Sequence, residues 1–480
     1  MRGVRQVALG MAFSFFILSL GLVYWQVVKA DTLLENSANR RLILMESRVT
    51  RGGIFDRNGE IIAQTQISEG KKVRIYPKGE MFEPVLGYSS VKLGASGLEG
   101  SLADWLLGIK KATPTQEVQQ LFALPRQGDD VVLTLDSRLQ SIAYNALKGK
   151  MGTVVALDPR TGEVLAMVSQ PSFNPTNLDQ KWNEIINQEE KRALGEKQRP
   201  LEHRYFSLFP PGSTMKVVTS AALLRSGINT TDLYQCQGST VINGQVIREQ
   251  NDKAHGWVNY NMALAESCNT YFATYGVQAG DETFLSVAKG FGFGQKIPFE
   301  LNVPRSSITQ TAMSPTSLNT NLLAASTFGQ GEVLVTPFHM ALMTAGIANH
   351  GVIMAPHIVE RVLDPSQNIL FQQKSQPWLT ALSKEEADKI TSGMVTAVTD
   401  GTASPGALPG VQVAGKTGSA EPGGNVLTHA WYIAFAPAEK PQIAVAVIVE
   451  NGGTGGGTAA PIARQIIQEA LNQKVGDKNE

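Results

Sequence analysis

Three short strings in this chain could together carry acyl-transfer chemistry. Ser213 and Lys216 stand three residues apart in Gly212-Ser213-Thr214-Met215-Lys216. At that spacing two side chains share one helix face. A lysine taken out of water gives up its charge readily, and its free amine can then accept the serine proton. Ser267-Cys268-Asn269 and Lys416-Thr417-Gly418 follow in order. Singly, the first two strings are weak. Ser68, Ser89 and Ser286 begin other S-x-x-K strings, and Ser37, Ser172 and Ser317 begin other S-x-N strings. Context selects Ser213. Pro210-Pro211-Gly212 forces a sharp entry, and the run from Val217 to Leu224 is apolar enough to require a buried helix. The N-terminus of that helix would offer free backbone N–H groups and a favourable dipole to an oxyanion. Ser68 and Ser89 lie in Gly-rich polar surroundings and are expected at the surface. K-T-G occurs once.

Other chemistries find less support. The six histidines include no pair at the spacing of a helical zinc site, and H-E-x-x-H is absent. Two cysteines, Cys236 and Cys268, exclude a disulfide scaffold and any Cys-rich zinc site. Proximity of the two, and so a bond between them, cannot be read from sequence. Cys268 is expected to be a small buried residue and not a nucleophile. Neither a G-x-G-x-x-G fingerprint nor a Walker A loop occurs, and Gly290-Phe291-Gly292-Phe293-Gly294 reads as a turn. No metal and no cofactor is expected. Lys+Arg and Asp+Glu both number 42, so the basic excess of a nucleic-acid binder is missing. A chain that is 42% hydrophobic and 18% charged has apolar surface enough for a core, and 480 residues suggest two or three domains.

The elements that must position these strings can be read in outline. Val7 to Val28 carry no charge, a length that spans a bilayer core. Arg2 and Arg5 precede the stretch, while Lys29, Asp31 and Glu35 follow it. The positive-inside rule then predicts a cytoplasmic N-terminus and an extracytoplasmic body. The run is long for a signal peptide, and no A-x-A-like site follows it. Residues 1–30 are read as cytoplasmic N-terminus and anchor. Residues 31–128 are read as a small membrane-proximal module, helical then extended over 31–50. In it Asn58-Gly59 predicts a type I′ hairpin, and a short helical stretch falls near Leu102–Leu107. Residues 129–480 form the remaining domain. Strands are expected at Val131–Leu135, Thr153–Leu157, Glu163–Val168, His429–Phe435 and Ile443–Val449. Asp136 or Ser137 would cap a helix over Arg138–Leu147, and Pro461–Leu471 reads as an amphipathic helix. Strands at both ends with helix-rich sequence between them predict one sheet assembled from both ends of the domain.

The ordered motifs make the chain resemble the class B penicillin-binding proteins, monofunctional peptidoglycan D,D-transpeptidases. The resemblance runs from the anchor to the last strand. Arg51-Gly52-Gly53-Ile54-Phe55-Asp56-Arg57-Asn58-Gly59 is similar to the family's N-terminal signature. Tyr76-Pro77-Lys78-Gly79, Gly87-Tyr88 and Gly97-Leu98-Glu99 resemble its pedestal. Gly329-Gln330-Gly331, Thr336-Pro337 and Ala348-Asn349 resemble its helical lobe. Asp400-Gly401-Thr402-Ala403 and His429-Ala430-Trp431-Tyr432 flank the K-T-G as in the family. Glu202-His203-Arg204 departs from the family's more usual Asn-Arg pair.

The resemblance implies an α/β (α+β) fold with a transmembrane helix, a β-rich pedestal or dimerisation-like module, and a transpeptidase domain. That domain would hold a five-stranded antiparallel sheet flanked by helices, plus a helical lobe. It also implies site roles. Ser213 would attack a stem peptide ending in D-Ala-D-Ala, with Lys216 as base. Ser267 would relay a proton, and Asn269 would hold a substrate amide. Lys416 would set the local potential. Thr417, Gly418 and Ser419 would bind substrate, and the backbone N–H groups of Ser213 and Ser419 would form an oxyanion hole. β-Lactams would acylate Ser213. A SEDS-family glycan polymerase in the membrane is the implied partner. Residues 31–128 are too short for a glycosyltransferase domain. The E-x-x-L-N motif of class A β-lactamases is missing between Asn269 and Lys416. A class D-like hydrolase would need neither the anchor nor the Arg51–Gly59 signature. A D,D-carboxypeptidase would differ only in its acceptor, and the intact motifs argue against a non-enzymatic scaffold.

Overall fold

The computed structural model describes residues 2–25, 49–68, 71–90, 92–110, 126–176, 178–193, 200–313, 315–421 and 427–476. The expectations for residues 31–48, including the outer flank of the anchor, lie outside them. Helix α1 spans Arg2–Val23, and none of its most apolar window is covered by the rest of the chain. Among the described residues it is the one helix long and apolar enough to cross a membrane.

Two sheets organise the remainder. The first uses β1 (Ile54–Phe55), β2 (Ile61–Ser68), β3 (Lys71–Ile75) and β4 (Asp130–Leu133). β1 and β2 form the expected hairpin, but not with a type I′ turn. Only Gly59 takes positive φ (+85°), whereas Asn58 does not. The Asp56 carboxylate decides this local shape. It accepts the N–H groups of Asn58 and Glu60 at 2.9 and 2.8 Å and fixes a turn that needs one left-handed residue. Glu99 lies fully buried between Arg51 and Arg74 and bonds their Nε atoms at 2.6 and 2.7 Å. Burial alone would raise its carboxyl pKa, but the two guanidinium groups outweigh it and hold it below the usual range. Breaking such a buried pair from one side costs about 3–5 kcal/mol, so Arg51 and Glu99, from two of the family-like strings, act with Arg74 as a structural clamp.

β4 carries the strand expected at Val131–Leu135 into this first sheet. It pairs parallel with β1. It also pairs antiparallel with β7 (Val359–Leu363), beyond which lies β8 (Ile369–Gln372). The sheet order is β8-β7-β4-β1-β2-β3. It therefore crosses the line drawn between 31–128 and 129–480.

The second sheet is the platform for the site. After β4, Asp136 caps α2 (Ser137–Ala146), accepting the N–H groups of Arg138 and Leu139 at 2.9 and 3.2 Å. Such a cap contributes about 1 kcal/mol. β5 (Gly152–Leu157) and β6 (Val164–Gln170) form a hairpin. They join β9 (Ala414–Ala420), β10 (His429–Ala436) and β11 (Ile443–Val449) in the all-antiparallel order β6-β5-β11-β10-β9. Both chain ends thus build one five-stranded sheet, as the apolar runs predict.

The strands read as nearly continuous apolar runs because both faces are covered. Alternate residues Val155, Ile433, Ala446 and Ile448 face one core, which holds α6 (Pro337–Ala348), buried at every position. Their neighbours Val154, Tyr432, Val445 and Val447 face a second core with Leu139, Ile466 and Ile467, from α2 and α8 (Ala460–Gly476). Side chains alternate across a strand, so two cores demand two apolar sets. β9 is the edge strand. Against it lie the 3₁₀ turn Gly212–Met215 and α7 (Lys384–Thr399), and nearby run α3 (Lys216–Arg225), α4 (Tyr260–Ala265) and α5 (Asn269–Ala279).

Candidate active site

Ser213 sits in the 3₁₀ turn that opens onto α3. The turn is tight for a reason. Gly212 has φ +53°, and a Cβ there would lie 3.1 Å from Ser419 O. Gly212 N–H bonds Gly329 O at 3.0 Å. A Cβ on Gly329 would fall 2.0 Å from Gly212 O, so the turn carrying Ser213 can seat only on glycine. A Cβ on Gly418 would likewise come within 3.0 Å of Pro211 O and Thr214 Cγ2. Gly418 thus lets the edge strand approach the Ser213 turn, and it brings the backbones of Ser213 and Ser419 side by side.

Lys216 is fully buried one turn along. Its Nζ lies 3.1 Å from Ser213 Oγ, 2.5 Å from Ser267 O, 3.2 Å from Ser267 Oγ and 2.7 Å from Asn269 Oδ1. Asn269 Nδ2 donates to Arg248 O at 3.0 Å, which turns Oδ1 toward the lysine. A neutral amine has two N–H donors and one lone pair. The two closest acceptors, Ser267 O and Asn269 Oδ1, use the donors and leave the lone pair for the Ser213 hydroxyl. Burial pulls the Lys216 pKa down to about 8, against the opposing charge of Glu249. Lys416, also fully buried, reaches Ser267 Oγ and Thr417 O, both at 2.9 Å. Burial first, and then the Lys216 charge, hold Lys416 well below the usual lysine range. Ser267 Oγ therefore bridges two amines that disfavour a shared double charge.

Ser267 adopts φ +61°, a conformation that costs a residue with a Cβ of the order of 1–3 kcal/mol. The surroundings hold it there. Lys216 clamps its carbonyl, and Cys268 N–H bonds Ala263 O at 2.8 Å. Thr417, almost buried on the edge strand, has its Oγ1 2.8 Å from Thr402 Oγ1. Ser213, Ser267, Asn269 and Ser419 are part-exposed and line a cleft, whereas Lys216 and Lys416 lie beneath it. The structure thus brings the three strings together. Ser68 and Ser286, which begin rival strings, are exposed, and Ser89 is part-exposed.

Sequence reasoning missed Glu249. Its carboxylate accepts Asn269 N–H at 2.8 Å and Thr270 N–H at 2.7 Å, capping α5 and fixing the S-x-N turn from behind. Burial works to raise its pKa, but the two N–H donors and Lys216 prevail and lower it. Around it gather Cys236, Cys268 and His255, and one ligand atom from each of the four lies within 4.8 Å of all the others. Both cysteines are free and buried. Burial, then the Glu249 charge, pushes the Cys268 thiol far above its ordinary pKa. Two thiols, an imidazole and a carboxylate are a donor set that a tetrahedral zinc ion accepts, so these four could hold one. The argument from cysteine count and helical histidine spacing does not reach such a site, because its donors come from three separate segments. The other missed residues are Thr402 and Gly329. Both stand inside family-like strings, but nothing in those strings tells which wall of the cleft each will touch.

Comparison with known proteins is consistent with this geometry. Residues 152–468 match the family described as penicillin binding protein transpeptidase domain, and residues 51–131 match the penicillin binding protein A dimerisation domain. The chain is 33% identical to the peptidoglycan D,D-transpeptidase PbpA of Mycobacterium tuberculosis, over 98% of each chain. It is 31% identical to the peptidoglycan D,D-transpeptidase MrdA of Acinetobacter baumannii, over 83% of this chain and 66% of that one. Its structure is similar to that of penicillin-binding protein A from M. tuberculosis, solved as a ceftriaxone acyl-enzyme complex. That match has a TM-score of 0.81 at 32% identity and covers 89% of this chain and 100% of the other.

Proposed function

This chain belongs to the class B penicillin-binding proteins, and from that premise we propose how its own residues carry out D,D-transpeptidation. The protein is a peptidoglycan D,D-transpeptidase that crosslinks stem peptides through an acyl-serine and is acylated by β-lactams. One observation carries the assignment of roles: the buried Lys216 Nζ lies 3.1 Å from Ser213 Oγ and has two closer acceptors, Ser267 O and Asn269 Oδ1, to take the N–H groups of the neutral amine.

Ser213 Oγ attacks the carbonyl of the penultimate D-Ala as Lys216 takes its proton. The oxyanion forms between the backbone N–H groups of Ser213 and Ser419, donors that need no reorganisation. Ser267 Oγ, bridging the two amines, passes a proton to the departing D-Ala amine. Asn269 orients Lys216 and holds a substrate amide. Thr417 and Ser419 bind the terminal carboxylate. Gly418 shapes that subsite by letting the strand close on the Ser213 turn. Lys416 supplies the local potential beside Ser267 Oγ, and the proton that Lys216 took from Ser213 passes on to Ser267, which returns the relay to its starting state. An amine from a second stem peptide then resolves the ester and makes the crosslink. In a β-lactam the ring amide plays the D-Ala carbonyl, but the leaving nitrogen stays tethered, so the acyl-enzyme persists.

The pH dependence of acylation tests the reading. Protonated Lys216 has no lone pair. The second-order rate of acylation by benzylpenicillin therefore rises with pH, about tenfold per unit below the lysine pKa, and levels off above about 8. A rate that does not change between about pH 6 and 10 contradicts a lysine base.

Residues 129–480 act as the catalytic body and residues 1–128 as anchor and pedestal. Arg2 and Arg5, in the first turns of α1 ahead of its uncharged run, support a cytoplasmic N-terminus with the site on the other side of the membrane. The partner we assign is a SEDS-family glycan polymerase, met by residues 1–128. Uncovered α1, and Ile67 exposed on β2, offer it apolar surface. Exchanging α1 for an unrelated anchor together with Ile67→Lys, which leaves the shared sheet in place, abolishes co-purification with such a polymerase. Undiminished co-purification places the contact elsewhere.

A further inference from the structure

Thr402 joins the two walls of the cleft. It lies between α7 and the edge strand β9. Its N–H donates to Ala265 O at 3.1 Å, and its hydroxyl lies 3.2 Å from the same carbonyl. Ala265 ends α4, the helix that leads into Ser267. On the other side the Thr402 hydroxyl meets Thr417 Oγ1 at 2.8 Å. Two glycines permit this position. A Cβ on Gly401 would fall 2.4 Å from Ala265 O, and one on Gly456 would fall 2.8 Å from Thr402 O.

Each threonine has one hydroxyl proton, and these distances allow two complete arrangements. In one, Thr417 donates to Thr402, and Thr402 donates to Ala265 O. In the other, Thr402 donates to Thr417 Oγ1, and Thr417 is free to donate into the cleft. Ala265 O loses little in the exchange, since the Thr402 N–H still serves it. No proton changes owner, as only two O–H bonds rotate. The second arrangement gives up the 3.2 Å contact and must be repaid by what the Thr417 proton meets. A carboxylate repays it with a charge-assisted hydrogen bond, strengthened because Thr417 is itself accepting one. A neutral ester repays it with an ordinary bond only.

We propose that Thr402 is a positioning residue whose hydroxyl turns the Thr417 hydroxyl toward the ligand and so makes the site select substrates with a free terminal carboxylate. The inference rests on the reading above that Thr417 meets that carboxylate.

The test compares benzylpenicillin with its methyl ester as acylating agents of the detergent-solubilised full chain. The variants are Thr402→Val, which keeps the shape and removes the hydroxyl, and Thr402→Ser, which keeps the hydroxyl. Thr402 is exposed, and Thr402→Cys, a weak donor, repeats the test should Thr402→Val not fold. Wild-type protein reacts faster with the acid than with the ester. In Thr402→Val the acid loses about tenfold, the worth of one hydrogen bond to a charged group. The ester loses less than about twofold, and Thr402→Ser keeps the wild-type ratio. Equal losses on acid and ester reduce Thr402 to a packing role and overturn the proposal, as does a Thr402→Ser ratio that falls with that of Thr402→Val. Unchanged acid reactivity in Thr402→Val overturns it too. A wild-type protein that neither reagent acylates sinks the transpeptidase reading itself, and this inference with it.

Discussion

Ser213→Ala leaves a folded protein that no longer forms a covalent adduct with a fluorescent penicillin. Removing the nucleophile of an acyl-serine enzyme costs on the order of 10⁶ in turnover, so the labelled band disappears and does not merely fade. The result is not trivial, because a second hydroxyl lies in the same cleft. Ser267 Oγ stands within 3.2 Å of Lys216 Nζ and 2.9 Å of Lys416 Nζ. What distinguishes Ser213 is its backbone. It opens a helical turn set against Ser419, where two N–H groups can meet a developing oxyanion, whereas Ser267 sits in a left-handed turn held by its own carbonyl. Ser267→Ala should therefore still label, though more slowly. Persistent labelling of Ser213→Ala, lost only in Ser267→Ala, would reverse the two roles.

Lys216→Met is expected to lower the acylation rate by about 10³–10⁴, the upper range for loss of a general base. Methionine fills much of the same buried volume but has no lone pair for the serine proton and no N–H for its neighbours. Ser267 O and Asn269 Oδ1 then lose their donor, at about 1–3 kcal/mol for each buried group left unpaired. The strained φ at Ser267 loses its clamp as well. Chemistry and geometry fail together, which places the loss at the top of the range. The diagnostic is the pH profile. The rise toward pH 8 should vanish in Lys216→Met, because the group that titrates is gone. A variant that keeps the inflection would show that another residue, Lys416 foremost, is the base.

The catalytic strings were legible in the sequence because they are local. Lys216 follows Ser213 by one turn of a helix that Pro210-Pro211-Gly212 starts and Val217-Val218 buries, and both facts are written within a dozen residues. The five-stranded sheet was legible too, since strands covered on both faces stand out as runs such as Ile443–Val449. What escaped depends on long-range approach. Val131–Leu133 reads as one more strand of the same kind, yet it pairs with Ile54–Phe55 and Val359–Leu363 and so belongs to the other sheet. An apolar strand does not name its neighbour. Asn58-Gly59 does predict a hairpin, but Asp56, two residues away, chooses the turn. Cys236, Glu249, His255 and Cys268 come from three segments, and no spacing rule written for a single helix can join them. Thr402 becomes meaningful only when Ala265 and Thr417 are seen on either side of it.

The most direct test of the central claim is an acceptor-exchange assay. The full chain in detergent micelles is given a stem pentapeptide ending in D-Ala-D-Ala together with a labelled D-amino acid, and the products are resolved by mass. A transpeptidase releases one D-Ala and couples the label to the remaining tetrapeptide, and Ser213→Ala does neither. Release of D-Ala with free tetrapeptide as the only product, at every acceptor concentration, would make the chain a hydrolase and contradict the account.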